Sequence, residues 1–158
     1  MLILSPCAAD DPILLALLDE MTAELVKVYE LAPDARPSPL GPGAQYLLAR
    51  RGEQPVGCCA VQPVEPGVWE LNRVFVSPAA RGTGVADALL ARAEQLPWGP
   101  GEPRLRLETG IRQPAAIRLY ERTGYRRIAN YPPHDGDPTS VCYQKVLSAR
   151  PGRNRVSE

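Results

Sequence analysis

The sequence predicts an α+β domain built on a mixed sheet. Three observations carry that prediction. The predicted elements run β-α-β-β-β-α-β-α-β-β, and consecutive strands in the middle separate this order from a strictly alternating α/β chain. The chain has 158 residues, the length of one domain, enough to bury about 70% of its unfolded surface. It is 44% hydrophobic and 23% charged, the mix of a globular protein in water.

Each element has a local cause. Leu2–Leu4 reads as a short first strand. Asp10-Asp11-Pro12 opens a helix: an aspartate caps it, and proline enters the first turn, where a missing N–H costs nothing. Leu14, Leu15, Leu18, Met21, Leu25 and Val28 then recur at helical spacing. Pro33 to Gly43 holds four prolines and two glycines and forms a loop. Gln45–Arg51 and Gln54–Gln62 are strands joined by a turn at Gly52, and Pro66-Gly67 marks the next turn. Val68–Ser77 is the fourth strand, stopped by Pro78. Strict alternation puts Glu70, Asn72 and Val74 on one of its faces and Leu71, Arg73 and Phe75 on the other. Val85–Leu96 is a helix with Val85, Leu89 and Ala93 on one side. Arg104–Thr109 alternates as a strand, Gln113–Thr123 is a helix closed by Gly124, and Tyr125–Ile128 and Thr139–Leu147 are the last strands. The domain is expected to span 1–147, with 148–158 a loose Arg-rich tail. Trp69 and Trp98 are expected to pack inside.

Eighteen basic and eighteen acidic side chains cancel, which excludes a generally basic nucleic-acid binder. The balance hides a split. Residues 1–80 hold ten acids and five bases, while 81–158 hold thirteen bases and eight acids. Opposite signs suit two kinds of partner, one anionic and one cationic. Sixteen of the eighteen bases are Arg, whose planar fork matches phosphate. Cys7, Cys58, Cys59 and Cys142 include no CxxC pair, and His134 is the only histidine, so no metal site is expected. Adjacent Cys58 and Cys59 read as small buried hydrophobes on opposite faces of a strand, in a reduced cytoplasmic protein. The longest aliphatic run, Ile13–Leu18, is too short for a bilayer, so no membrane partner is expected.

The strongest chemical signal lies between the fourth strand and the second helix. Arg81-Gly82-Thr83-Gly84-Val85-Ala86 follows the strand, and the helix begins at once. Glycine lets backbone amides approach a ligand, and the first amides of a helix have no partners of their own. Together they form an anion site suited to a pyrophosphate. A plain βα turn is the alternative. The loop is neither G-x-G-x-x-G nor a Walker loop, which counts against NAD binding and ATP hydrolysis.

Arg81, Gly84 and Ala86 fit the Arg/Gln-x-x-Gly-x-Gly/Ala pattern. A second block follows: Leu107-Glu108-Thr109-Gly110, then Gln113 to Glu121, then Gly124-Tyr125. In this order and at this distance the two blocks resemble the GNAT superfamily of N-acetyltransferases, over about residues 44–147. The resemblance implies a mostly antiparallel, splayed sheet flanked by helices, with acetyl-CoA in the gap between the fourth and fifth strands. It implies that the backbone of Val74, Phe75 and Val76 pairs with pantetheine and that Arg81, Gly82, Thr83, Gly84, Val85 and Ala86 hold the pyrophosphate. Gln113 stands where many relatives have an Asn at the cofactor, and Thr109 replaces a common Asn.

Acetyl transfer needs a neutral amine, hence a base; a donor for the oxyanion; and a proton for the leaving thiolate. By resemblance Tyr120 is the acid and Glu70 the base, with Glu108 the alternative carboxylate and the amide of Val74 the oxyanion donor. A core aromatic and a solvated edge residue are the plainer readings of Tyr120 and Glu70. Tyr29 and the first helix, with the Pro33–Gly43 loop, are expected to cover the acceptor side; His134 reads as a surface residue, with lining of the acceptor site the alternative. The expected reaction moves acetyl from acetyl-CoA to the amine of a small molecule or peptide in a ternary complex. Two alternatives stand beside it: a non-catalytic acyl-CoA sensor or degenerate family member, and an unrelated nucleotide-binding protein. A homodimer is compatible with the resemblance.

Overall fold

Hydrophobic alternation closes the strands into one seven-stranded sheet, seen in a computed structural model that describes residues 1–148. The elements are β1 (Leu2–Cys7), α1 (Pro12–Tyr29), β2 (Gln45–Arg51), β3 (Gln54–Glu65), β4 (Val68–Val76), α2 (Val85–Ala93), β5 (Arg104–Gly110), α3 (Pro114–Arg122), β6 (Arg126–Ile128) and β7 (Ser140–Val146). The sheet order is β1-β2-β3-β4-β5-β7-β6. Every neighbouring pair is antiparallel except β4 and β5, which run parallel. Their pairing is short: Val68, Trp69 and Glu70 against Arg104, Leu105 and Arg106. Past that point β4 continues to Val76 and β5 to Gly110 with no mutual pairing, so the sheet opens into a wedge.

Two cores cover the two faces. On one, Leu47, Cys59, Leu71, Leu105 and Leu107 meet Val85, Leu89 and Leu90 of α2 and Tyr120 of α3. On the other, Leu14, Leu17 and Leu18 of α1 pack on Tyr46, Leu48, Cys58, Ala60 and Phe75. Cys58 and Cys59 therefore face opposite layers, and all four cysteines are free thiols. Asp11 caps α1, its Oδ1 accepting from the amides of Ile13 at 2.8 Å and Leu14 at 3.3 Å. Among the described residues, no helix is long and apolar enough to cross a membrane.

The structure departs from the sequence reading in five places. β1 runs on through Pro6 to Cys7, which an edge strand tolerates. β3 runs past Gln62 to Glu65 because it pairs with the start of β4. α2 stops at Ala93, short of Leu96. Trp98 is 47% exposed rather than packed, while Trp69 is buried. The fifth departure matters most for the site. β4 does not alternate strictly, because the pairing with β3 shifts between Cys58↔Phe75 and Ala60↔Asn72, and Arg73 takes a left-handed φ of 58°. This extra residue is a bulge. Leu71 lies in the α2–α3 core and Phe75 in the α1 core, while Val74 packs against the α2–α3 side. The expected Glu70-Asn72-Val74 and Leu71-Arg73-Phe75 faces are therefore broken at Arg73. Arg150, Arg153 and Arg155 of the expected tail lie outside the described residues.

Candidate active site

The wedge is closed at its wide end by the loop after β4. Pro78–Ala80 make a single 3-10 turn, and Gly82 and Gly84 follow with φ of 74° and 90°. Gly84 is the residue before α2, and no side chain caps that helix. Its first amides are left for a ligand or water. A Cβ added at Gly82 or Gly84 would meet nothing within 4 Å, so these glycines serve backbone conformation and leave the loop's surface open. Arg51 of β2 braces the loop, donating to the Thr83 hydroxyl at 2.7 Å and the Thr83 carbonyl at 3.0 Å. Val85 is buried against the sheet and Ala86 is half-buried.

Arg81 is engaged within the protein. Its Nε donates to the Val76 carbonyl at 2.9 Å, and its Nη2 reaches Glu24 of α1 at 2.5 Å. It also lies over the Phe75 ring, 5.6 Å from the centroid. Beside it a groove is lined by Glu20, Ala23, Glu24, Lys27, Phe75 and Pro78.

At the narrow end of the wedge, Glu70 is the centre of a hydrogen-bond cluster. Its Oε1 accepts from Asn72 at 3.0 Å and from Gln62 at 3.1 Å, and its Oε2 accepts from the Tyr131 hydroxyl at 2.8 Å. A carboxylate has about four acceptor positions, so one on Oε2 stays open to a proton-bearing group. Burial, and then the charge of Glu70, push the Tyr131 phenol far above its ordinary pKa. Gln62 also accepts from the Gly41 amide at 2.8 Å, tying the loop after α1 to this cluster. Glu108 of β5 sits farther up the wedge and accepts from the Ser140 hydroxyl at 2.7 Å. His134 stacks edge-on against Tyr131, with ring centroids 5.5 Å apart.

Tyr120 enters from the opposite face. It is buried edge-on against Tyr125 at 5.7 Å and tilted against Tyr143 at 6.4 Å. Burial first, then neighbouring Cys59 and Glu108, push its phenol well above the ordinary tyrosine pKa. It therefore stays protonated and is a donor. Gln113 precedes α3, where its side chain makes no cap and its carbonyl accepts from Ile117 at 3.1 Å. Tyr29, at the end of α1, spans to the end of β5. Its hydroxyl accepts from the Arg112 amide at 3.3 Å and lies where a Cβ on Gly110 would sit.

The sequence-named residues thus fall at three stations around one wedge: Glu70 at the apex, Val74, Phe75 and Val76 along one arm, and the Arg81–Ala86 loop at the mouth. Gln113 and Tyr120 flank the other arm. Sequence reasoning missed Gln62, Asn72, Arg106 and Tyr131 as site residues, and Glu24 as the partner of Arg81. Only strand alternation linked Asn72 to Glu70; nothing local linked Tyr131, 61 residues away.

Comparison with known proteins identifies the family and the fold. The acetyltransferase (GNAT) family model matches residues 14–125. An IAA acetyltransferase of Azospirillum brasilense is 37% identical over 107 residues, covering 67% of this chain and 70% of that protein. The chain spans less than half the length of the mouse and rat N-acetyltransferases that it also matches. A Klebsiella pneumoniae structure, provisionally named an acyl-CoA N-acyltransferase, superposes with a TM-score of 0.74 at 32% identity, over 93% of this chain and 98% of that one. A GNAT family acetyltransferase of Elizabethkingia anophelis, solved with acetyl-CoA bound, shares the fold at a TM-score of 0.63 and 17% identity, over 92% of this chain and 98% of that one.

Proposed function

Because the chain belongs to the GNAT acetyltransferase family and is an acyltransferase, we propose that it moves acetyl from acetyl-CoA to the amine of a small molecule or peptide, in a ternary complex within its 1–147 domain. The observation that carries this reading is the wedge itself. β4 and β5 separate just past Glu70 and Arg106, and an uncapped helix start faces the opening.

The residues present suit coenzyme A. The Gly82–Ala86 backbone and the start of α2 would hold its pyrophosphate. The unpaired edge of β4 at Val74, Phe75 and Val76 would align its pantetheine arm as an added strand. Gln113, whose amide makes no cap, would reach it from the β5 side. When bound, acetyl-CoA supplies an acyl group on a thiol leaving group.

Glu70 takes the amine proton, directly or through one water, on the open position of Oε2. Asn72, Gln62 and Tyr131 keep that carboxylate aimed, since all three donate to it. The amide of Val74 supplies a fixed donor to the acyl oxygen. Tyr120 keeps its proton through the neutral range and gives it to the departing sulfur. Four free thiols fit work in the reducing cytoplasm.

The test is release of free thiol from acetyl-CoA across a panel of amines, with the products weighed by mass spectrometry. Acetylated product is the expected result. Tight coenzyme A binding with no acetylated product would instead make the protein an acyl-CoA sensor.

A further inference from the structure

We propose that the acceptor is an amino acid or amino-acid derivative with a free carboxylate beside its amine, and that Arg106 binds that carboxylate. This rests on the acetyl-transfer reading and narrows its acceptor.

Arg106 stands on β5 directly across from Glu70, at the last paired position before the wedge opens. Parallel partners in register point to the same face, so both side chains face the loop that carries Tyr131. The Arg106 guanidinium lies over that ring, 3.9 Å from the centroid. Its Nε is buried with no hydrogen-bond partner. Among the described residues, the Arg106 side chain makes no ion pair or hydrogen bond to the protein.

Two carboxylates stand near it, yet among the described residues neither forms an ion pair with it. Glu70 is aimed at Gln62, Asn72 and Tyr131, and Glu108 at Ser140. An arginine stays charged under all ordinary conditions. A half-buried guanidinium held rigid by an aromatic face, with no anion of its own, is a preformed site for a planar anion. A carboxylate fits that fork with two charge-assisted hydrogen bonds.

The pairing limits the size of the acceptor. Glu70 and Arg106 start side by side on adjacent strands, and both heads bear on Tyr131, one on its hydroxyl and one on its ring. An amine at Glu70 and a carboxylate at Arg106 therefore belong to one compact molecule, as in an α- or β-amino acid. A polyamine supplies the first group and not the second.

The experiment compares matched acceptors in the acetyl-CoA thiol-release assay: phenylalanine, phenylalaninamide and phenethylamine, with the same three forms of glutamate, leucine and lysine. The amide is the stringent control, because its amine is less basic and a larger share of it is neutral and able to attack at the assay pH. Wild-type enzyme is expected to favour at least one acid over its amide by about 10- to 100-fold in kcat/KM, the range of charged hydrogen bonds. Arg106→Gln should erase that preference by raising the KM of the acid, with the KM of acetyl-CoA unchanged. Arg106→Lys should keep part of it. Amides and amines acetylated as well as the acids, or an Arg106→Gln enzyme that retains the preference, would overturn the carboxylate site and leave acetyl transfer standing. Failure to acetylate any amine would instead sink the acetyl-transfer reading, and this proposal with it. If Arg106→Gln does not fold, the wild-type ratio of acid to amide decides alone.

Discussion

A buried phenol with no hydrogen-bond acceptor of its own holds its proton and adds little to stability through its hydroxyl. Among the described residues Tyr120 is such a group: its ring is packed against Tyr125 and Tyr143, and its pKa is raised by burial. Tyr120→Phe keeps the ring and removes the proton. It should lower kcat by about 100-fold or more, with thermal stability and acetyl-CoA affinity nearly unchanged. Unchanged turnover in a stopped assay would leave Tyr120 as packing alone. Arg81 gives a second prediction. It is tied to Glu24 in a half-exposed pair, and such pairs are weak. Any phosphate that Arg81 binds must compete with that carboxylate. Glu24→Gln should tighten coenzyme A binding by up to about 5-fold, measured by titration calorimetry; weaker binding would mean that Glu24 positions Arg81 for the ligand. The arginine and the tyrosine were legible as motif positions. Glu24 was not, because an i to i+57 contact leaves no local trace in sequence.

The β3–β4 pair decides where the site's side chains point. Gly57 of β3 sits where a Cβ would come 2.7 Å from the Phe75 carbonyl and 3.1 Å from Val85. Backbone cannot move aside as a flexible side chain can. Gly57→Ala should therefore cost about 1–3 kcal/mol, seen as a lower midpoint in urea, and should weaken acetyl-CoA binding by shifting Phe75 and Val76. A variant as stable as the parent would show that the strands have slack. Helix and strand identities were readable from proline, glycine and apolar spacing. The bulge at Arg73 was not. Period-two alternation assumes a regular pleat, and an arginine in left-handed backbone carries no sequence mark of the kind a glycine would. Its side chain explains the exception in part: Arg73 donates to the Tyr46 hydroxyl at 3.4 Å and to the Ser38 carbonyl. Strand order was equally hidden, since β7 inserts between β5 and β6 through contacts far apart in the chain.

As a whole, the molecule is two sheet segments, β1–β4 and β5–β7, joined by three parallel residue pairs and bridged by helices. Tyr29 of α1 reaches across to Gly110, and Arg112 donates back to the Val28 carbonyl at 3.2 Å. A ligand bound along the wedge contacts both segments and only the folded state. At 100-fold above its dissociation constant, coenzyme A should stabilise the protein by about 2.7 kcal/mol. The accompanying gain in amide-exchange protection should concentrate at Val74–Ala86 and at the end of β5. Uniform protection, or none on β4, would place coenzyme A elsewhere. Alkali tests the same architecture without ligand. Tyr120, Tyr125 and Tyr131 all have raised folded-state pKa values. Their contribution is present below the unfolded tyrosine value, about 10, and is lost as pH rises beyond it. Thermal midpoints should be insensitive to these groups at neutral pH and fall above pH about 10.

The extra residue in β4 also changes what kind of mutation the strand resists. Most substitutions at Arg73 leave the count of residues intact, so Leu71 and Phe75 keep their separate layers. Losing Arg73 itself would keep them too: the surplus residue goes, Asn72 and Val74 become neighbours in a regular pleat, Phe75 stays in the α1 layer, and Val74 and Val76 stay on the α2–α3 side. What such a deletion removes is the kink and the Arg73 contacts to Tyr46 and Ser38. One more residue inserted there is the damaging change, because it would turn Val74, Phe75 and Val76 over to the wrong layers. The two halves of β4 are spelled in different frames, and the bulge absorbs the shift between them.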